Sequence, residues 1–190
     1  MRDQGQILDS NNTLQLRDDV DIQQIISLKQ FILLSILTFT LYDIWWIYKA
    51  WVFFQQKDKS GINPISRTFF SIFFLPVLFY RIQSFAKEKG YAESYSSLNL
   101  FIGLAICNIL VRLPFVNGPF ALVTLLGFLF LIPPFKAFNF ARQNSPELRV
   151  NLQNKFNKKQ KLLIIIGGVI WGLFILAVVL SLLTQALGID

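Results

Sequence analysis

Asp43 is the only acid inside any long apolar run of this 190-residue chain. An ionised carboxylate at membrane depth is costly, so it reads first as a functional group whose partner has to be found. Arg67 and Arg81 flank the short apolar segment Thr68 to Tyr80 and are the cations expected to reach it. Three readings are open for Asp43: a carboxylate solvated at headgroup depth, which is the default, a structural ion pair, and a proton or cation site. Asn108 and Arg112 stand four residues apart and share a helix face, where they either line a polar cavity or brace neighbouring helices. Gly168 and Gly172 form a G-x-x-x-G in the last apolar run, a packing face for a helix of the same chain or of a second copy. Lys155, Lys158, Lys159 and Lys161 crowd the start of that run and would attract anionic lipid headgroups at roughly 1 kcal/mol per basic residue.

What is missing narrows the chemistry further. The chain has no His, which removes the H-E-x-x-H zinc site and any Ser-His or Cys-His dyad, and it carries neither a P-loop nor G-x-S-x-G. Cys107 is the single cysteine and lies deep in an apolar run, where a thiol tends to be inert. The expectation is a protein that is not an enzyme, with no catalytic residue, metal or cofactor.

The elements that must position these residues are dictated by composition. Apolar residues make up 54% of the chain and charged ones only 15%, and twenty residues are Phe. Lipid rather than water is the implied solvent. Leu162 to Leu183 carries no charge and one hydroxyl, Ser181, and at about 1.5 Å per residue it exceeds a hydrocarbon core of about 30 Å. Phe31 to Tyr48 is a second span, ending among Tyr42, Trp45, Trp46, Tyr48 and Trp51. Leu98 to Leu113 and Phe120 to Phe135 form a helical hairpin around Asn117-Gly118-Pro119, its return helix ending or kinking near Pro133-Pro134. Thr68 to Tyr80, interrupted by Pro76, is too short to span comfortably, and Pro64 suits the first turn of its helix. The fold class is therefore all-α: a multi-pass transmembrane helical bundle of four spans plus a short re-entrant or interfacial helix, or alternatively five spans. Residues 1–27 read as a mobile polar tail and residues 28–190 as a single transmembrane domain.

Charge then orients the bundle. With four spans and the N-terminus outside, the eighteen Lys and Arg divide fourteen inside to four outside; with five spans and the N-terminus inside, thirteen to five. Both layouts put the loop 136–161, with seven basic residues, in the cytoplasm and the C-terminus outside. The net charge of +7 is thus membrane topology, and nucleic acid is not an expected partner.

Several strings, Leu41-Tyr42-Asp43-Ile44-Trp45-Trp46-Ile47-Tyr48-Lys49-Ala50-Trp51, Asn63-Pro64-Ile65-Ser66-Arg67 and Leu78-Phe79-Tyr80-Arg81-Ile82, resemble an uncharacterised family of small bacterial multi-pass membrane proteins. The resemblance runs on through Leu113-Pro114 and Pro133-Pro134 to Gly167-Gly168 and Trp171. It implies a bacterial inner (plasma) membrane and supplies no activity. Thr40 stands where a Gly is expected after Thr38-Phe39, which argues against a sharp break of the first span there. The expected function is association, as a scaffold, assembly factor or accessory subunit, with the anionic cytoplasmic headgroups and a membrane-protein partner or a second copy as contacts. A small channel or transporter with a polar path near Asp43, Arg67 and Arg81 is the alternative, and a lipid-modifying enzyme using loop residues the third.

Overall fold

The computed structural model describes residues 23–110 and 118–188. It is mostly helical. Strand β1 (Gln23–Ile25) leads into α1 (Leu28–Leu37), α2 (Leu41–Lys57), α3 (Pro64–Phe69), α4 (Ser71–Glu88) and α5 (Ser97–Leu110). A 3-10 helix (Gly118–Leu131) then passes directly into α6 (Ile132–Gln143), followed by β2 (Val150–Leu152) and the long α7 (Lys158–Leu187).

Local chemistry sets the helix starts. Ser27 and Gln30 form a reciprocal capping box at α1, and Asn157 and Gln160 form another at α7. Asn63 accepts from the amides of Ile65 and Ser66 with Pro64 in the first turn of α3, as its sequence predicts. The core lies where the apolar faces of α1, α2, α4 and α6 meet. Leu75, Leu78, Phe79, Ile82, Phe85 and Ala86 recur at helical spacing along α4 and are all 2% exposed or less. They face Phe53 and Phe54 of α2 and Phe138 of α6, with Phe53 and Phe85 rings 5.5 Å apart and Phe53 and Phe138 5.0 Å apart. Phe31 stacks on Phe135 at 4.3 Å. Aromatic pairs of this kind contribute about 0.5–1.5 kcal/mol each beyond the area they bury.

The first expected span is not one helix. The chain breaks between α1 and α2, where Phe39 and Thr40 take the left-handed conformation at φ 52° and 66°. The expectation that Thr40 keeps this point straight is overturned. The break is held from both sides: the Thr40 amide donates to Ser35 O at 2.8 Å, and the buried Thr38 hydroxyl accepts the Tyr42 amide at 2.9 Å. These bonds offset the about 1–2 kcal/mol that a non-glycine residue loses in this region.

The short segment Thr68 to Tyr80 also differs from its expectation. It straddles a break at Phe70 between α3 and α4, and α4 continues past Arg81 to Glu88 with Pro76 inside it. The expected hairpin is present as α5 packed against the 3-10 helix, so close that a side chain at Gly103 would collide with the Phe130 ring. Its turn, 114–117, lies outside the described residues. Pro133-Pro134 do not end the return helix. They sit in the first turn of α6, where a missing N–H costs nothing, and mark the change from 3-10 to α geometry.

The 136–161 segment is correspondingly less of a loop, because α6 runs to Gln143 and β2 pairs in parallel with β1, Gln24 opposite Asn151. Of the expected tail, residues 1–22 lie outside the described residues, while Gln23–Ile25 are the strand just named.

Among the described residues two helical stretches are, by length and composition, long and apolar enough to cross a membrane, Leu125–Gln143 and Lys158–Leu187. They differ in surroundings. Half of the first is buried inside the protein, as in a core helix of any protein, against 6% of the second. The buried and half-buried positions of α7, Gln160, Leu163, Ile164, Gly167, Ile170, Trp171, Phe174 and Val178, form a single stripe, and the helix packs against α1 and α2. Between Leu162 and Leu180 the other positions of this helix, which is about 45 Å long, are exposed and apolar, with Lys158, Lys159 and Lys161 at its start and Ser181, Thr184 and Gln185 toward its end.

Candidate functional site

Asp43 sits in the first turn of α2, just beyond the α1–α2 break, where a carboxylate suits the unsatisfied amides of a helix N-terminus. It is 6% exposed, so the default picture of a carboxylate solvated at headgroup depth does not hold. Its partner is Ser35, whose Oγ lies 2.5 Å from Asp43 Oδ1 and 3.0 Å from Phe31 O. One hydroxyl thus ties the start of α2 back to the middle of α1.

Arg67 and Arg81 do not join Asp43. Arg67 lies over the rings of Trp51 and Phe74, at 4.6 and 5.1 Å, and Arg81 pairs with Asp58 at 3.3 Å while lying 5.9 Å from the Phe54 ring centre. The two arginines are electrostatic neighbours of one another. The expected path of one acid and two cations is therefore two separate clusters. Asn108 donates to Leu104 O one turn back on an exposed face, and Arg112 lies outside the described residues.

The glycine face is placed differently from the in-chain contact expected of it. Side chains built at Gly168 and Gly172 would meet nothing within 4 Å. Gly167, one residue earlier, is the buried one, and a Cβ there would run into the backbone at Leu37 and Thr38. Trp171 and Phe174 extend the same seam, with the Trp171 indole donating to Ile36 O at 3.0 Å and both rings meeting Phe39. Lys155, Lys158, Lys159 and Lys161 are all exposed at the start of α7, and Lys159 lies over the Trp45 ring at 5.4 Å.

A polar cleft of about 370 Å³ opens where α2, the end of α6, the β1–β2 pair and the start of α7 converge. Tyr42, Trp46, Lys49, Arg142, Gln153 and Gln160 are among its lining residues, and among the described residues no Asp or Glu is. The Gln160 amide reaches Tyr42 Oη at 3.4 Å and accepts from Gln153 Nε2 at 2.5 Å, so three elements are joined by one side chain that is itself 3% exposed. Arg142 lies over Phe138 at 4.2 Å and donates from Nη2 to Asn139 Oδ1 at 2.6 Å. Its Nε and the Trp46 Nε1 are buried without a partner among the described residues.

No motif in the sequence marks this cleft. Gln160 carried a signal, as the third residue of the Asn157 capping box, but Arg142 carried none, since nothing local distinguishes it from the other cations of the 136–161 segment. In comparisons with protein-family models, with curated proteins and with solved structures, nothing matches the chain.

Proposed function

We propose that this chain is an integral protein of the bacterial inner membrane that acts by association rather than by chemistry, with α7 as the helix that meets its partner. The observation that carries this is α7 itself: thirty residues, 6% buried, with one stripe bound to its own chain and the Gly168–Gly172 face open. In water such a surface would be an aggregation site, and in lipid it is ordinary. Bare glycines on a lipid-facing helix permit close backbone approach by another helix. A second apolar stripe supports membrane contact. Ile65, Phe69, Ile72, Phe73, Val77 and Tyr80 follow helical spacing across the Phe70 break and are all more than 40% exposed, as an interfacial or re-entrant element requires.

The channel alternative loses its motive, because Asp43 is bonded to Ser35 and the arginines lie elsewhere. The orienting charge supports the same reading: Lys158, Lys159 and Lys161 at the start of α7 favour a cytoplasmic position for that end.

The test is a photo-crosslinking residue placed along α7 of the full chain in native membranes. Adducts with protein from Gly172 and Ile175, none from Gly167, and loss of those adducts with Gly168→Leu, are the expected pattern. Uniform crosslinking to lipid from every exposed position would refute the association.

A further inference from the structure

We propose that the cleft between α2, α6 and α7 is a binding site for a phosphate-bearing anion. Its charge is one-sided. Among the described residues Lys49 and Arg142 line it and no carboxylate does, and Asp43, which neighbours Tyr42 in the chain, is occupied by Ser35. Arg142 is half-buried with its Nε fully enclosed, and a guanidinium withdrawn from water without an ion pair is costly. Among the described residues no acid lies within ion-pair distance of Arg142, whose one bond to a side chain is to the neutral Asn139.

The unused donors match the same ligand. Arg142 Nε is buried without a partner, and so is the Nε1 of Trp46, a residue only 5% exposed that lines the same space. Buried N–H groups left unpaired are destabilising, and an oxyanion with several acceptor oxygens would satisfy them. Gln153 and Gln160 and the Tyr42 hydroxyl add neutral polar groups suited to a phosphate ester's remaining oxygens.

Size permits this chemistry, because about 370 Å³ lies in the range of small-molecule pockets and leaves room for a phosphate with its ester group. The cleft adjoins the first turn of α7, since Asn157 and Gln160 line it, and in the proposed membrane placement that turn lies at the cytoplasmic headgroup level. Two sources therefore share the chemistry: an anionic phospholipid headgroup and a soluble phosphate ester.

The purified full-length protein in detergent is titrated with sn-glycerol 3-phosphate while tryptophan emission is followed, since Trp45 and Trp46 both line the cleft. In parallel, protein from nanodiscs of phosphatidylcholine with or without phosphatidylglycerol is examined by native mass spectrometry for retained lipid. Saturable quenching by glycerol 3-phosphate identifies a soluble ester, and retained phosphatidylglycerol without quenching identifies a headgroup; either supports the site. In both arms Arg142→Gln is expected to weaken binding at least tenfold. Lys49→Gln, at an exposed position where folding is not at risk, is expected to weaken it several-fold, and Lys158→Gln with Lys161→Gln to leave it unchanged. Failure of both probes to bind the wild-type protein overturns the proposal. So does binding that ignores Lys49 and Arg142 but follows the surface lysines.

Discussion

Gly167 and Gly168 are neighbours in sequence with opposite fates, and that contrast yields a prediction with a sign. A Cβ added at Gly167 would lie 2.5 Å from Thr38 Cα and closer still to Leu37 O. Both are backbone atoms, so no side-chain rotation relieves the overlap. Carbon atoms pack best at about 3.5–4.0 Å, so α7 must retreat from α1 by about 1 Å. The retreat strains the Trp171 bond to Ile36 O and the ring contacts with Phe39. Overpacking of this kind costs about 1–3 kcal/mol. Against it stands the intrinsic helical advantage of Ala over Gly, about 0.8–1 kcal/mol, which Gly168→Ala and Gly172→Ala would gain with no collision. The two kinds of variant should therefore separate by about 1–3 kcal/mol, at roughly 2–4 °C in Tm per kcal/mol for a chain of this length. Thermal unfolding in detergent, followed by Trp171 emission and by circular dichroism, provides the assay. A Gly167→Ala protein as stable as Gly168→Ala would refute the close approach of α7 to the α1–α2 break.

Three further expectations follow from the same geometry. Thr40→Gly should raise stability by about 1 kcal/mol, because Thr40 occupies φ 66° and makes no side-chain cap bond; a lowered Tm would show that the break is not left-handed there. Ser35→Ala should lower stability by about 1–3 kcal/mol by leaving the Asp43 carboxyl buried without its hydroxyl. Asp43→Asn, which can still bond to Ser35, should cost less, and the reverse order in thermal scans would contradict the pairing. The hydrogen bond from Lys89, 2.9 Å long, holds the Glu147 carboxyl below its usual range. A depressed carboxylate contributes above its unfolded pKa of about 4.3 and loses that contribution as pH falls through the folded value. The Tm difference between wild type and Glu147→Gln should accordingly shrink below about pH 4, and a difference that grows with acid would reverse the sign.

Legibility in the sequence followed how local each signal was. Pro64 at a helix start and the hairpin of α5 with the 3-10 helix came through, since turn residues and continuous apolar runs act within a few positions. The uncharged run from Leu162 to Leu183 emerged as an unbroken helix for the same reason. The α1–α2 break did not, because it rests on bonds from Ser35 and Thr38 that override the preferences of Phe39 and Thr40. Asp43 was rightly singled out by type, but its partner was sought among charges, whereas a buried carboxyl found a hydroxyl eight residues earlier. Gly168 and Gly172 were chosen for their spacing, while Gly167 packs instead, since the 100° between adjacent helix positions decides which glycine faces the chain. The cleft was invisible for a different reason. Its cations and amides come from four separated segments, and only tertiary packing unites them.

The proposed crossing of a membrane by α7 is the premise of the functional reading and can be measured in intact bacterial cells. With Cys107→Ala as background, single cysteines are introduced as Gly188→Cys and Lys158→Cys, at opposite ends of the helix and about 45 Å apart. An impermeant thiol reagent should label Gly188→Cys in intact cells and Lys158→Cys only after lysis. Labelling of both ends in intact cells, or of neither until lysis, would mean that α7 does not cross the membrane, and would contradict the account at its root.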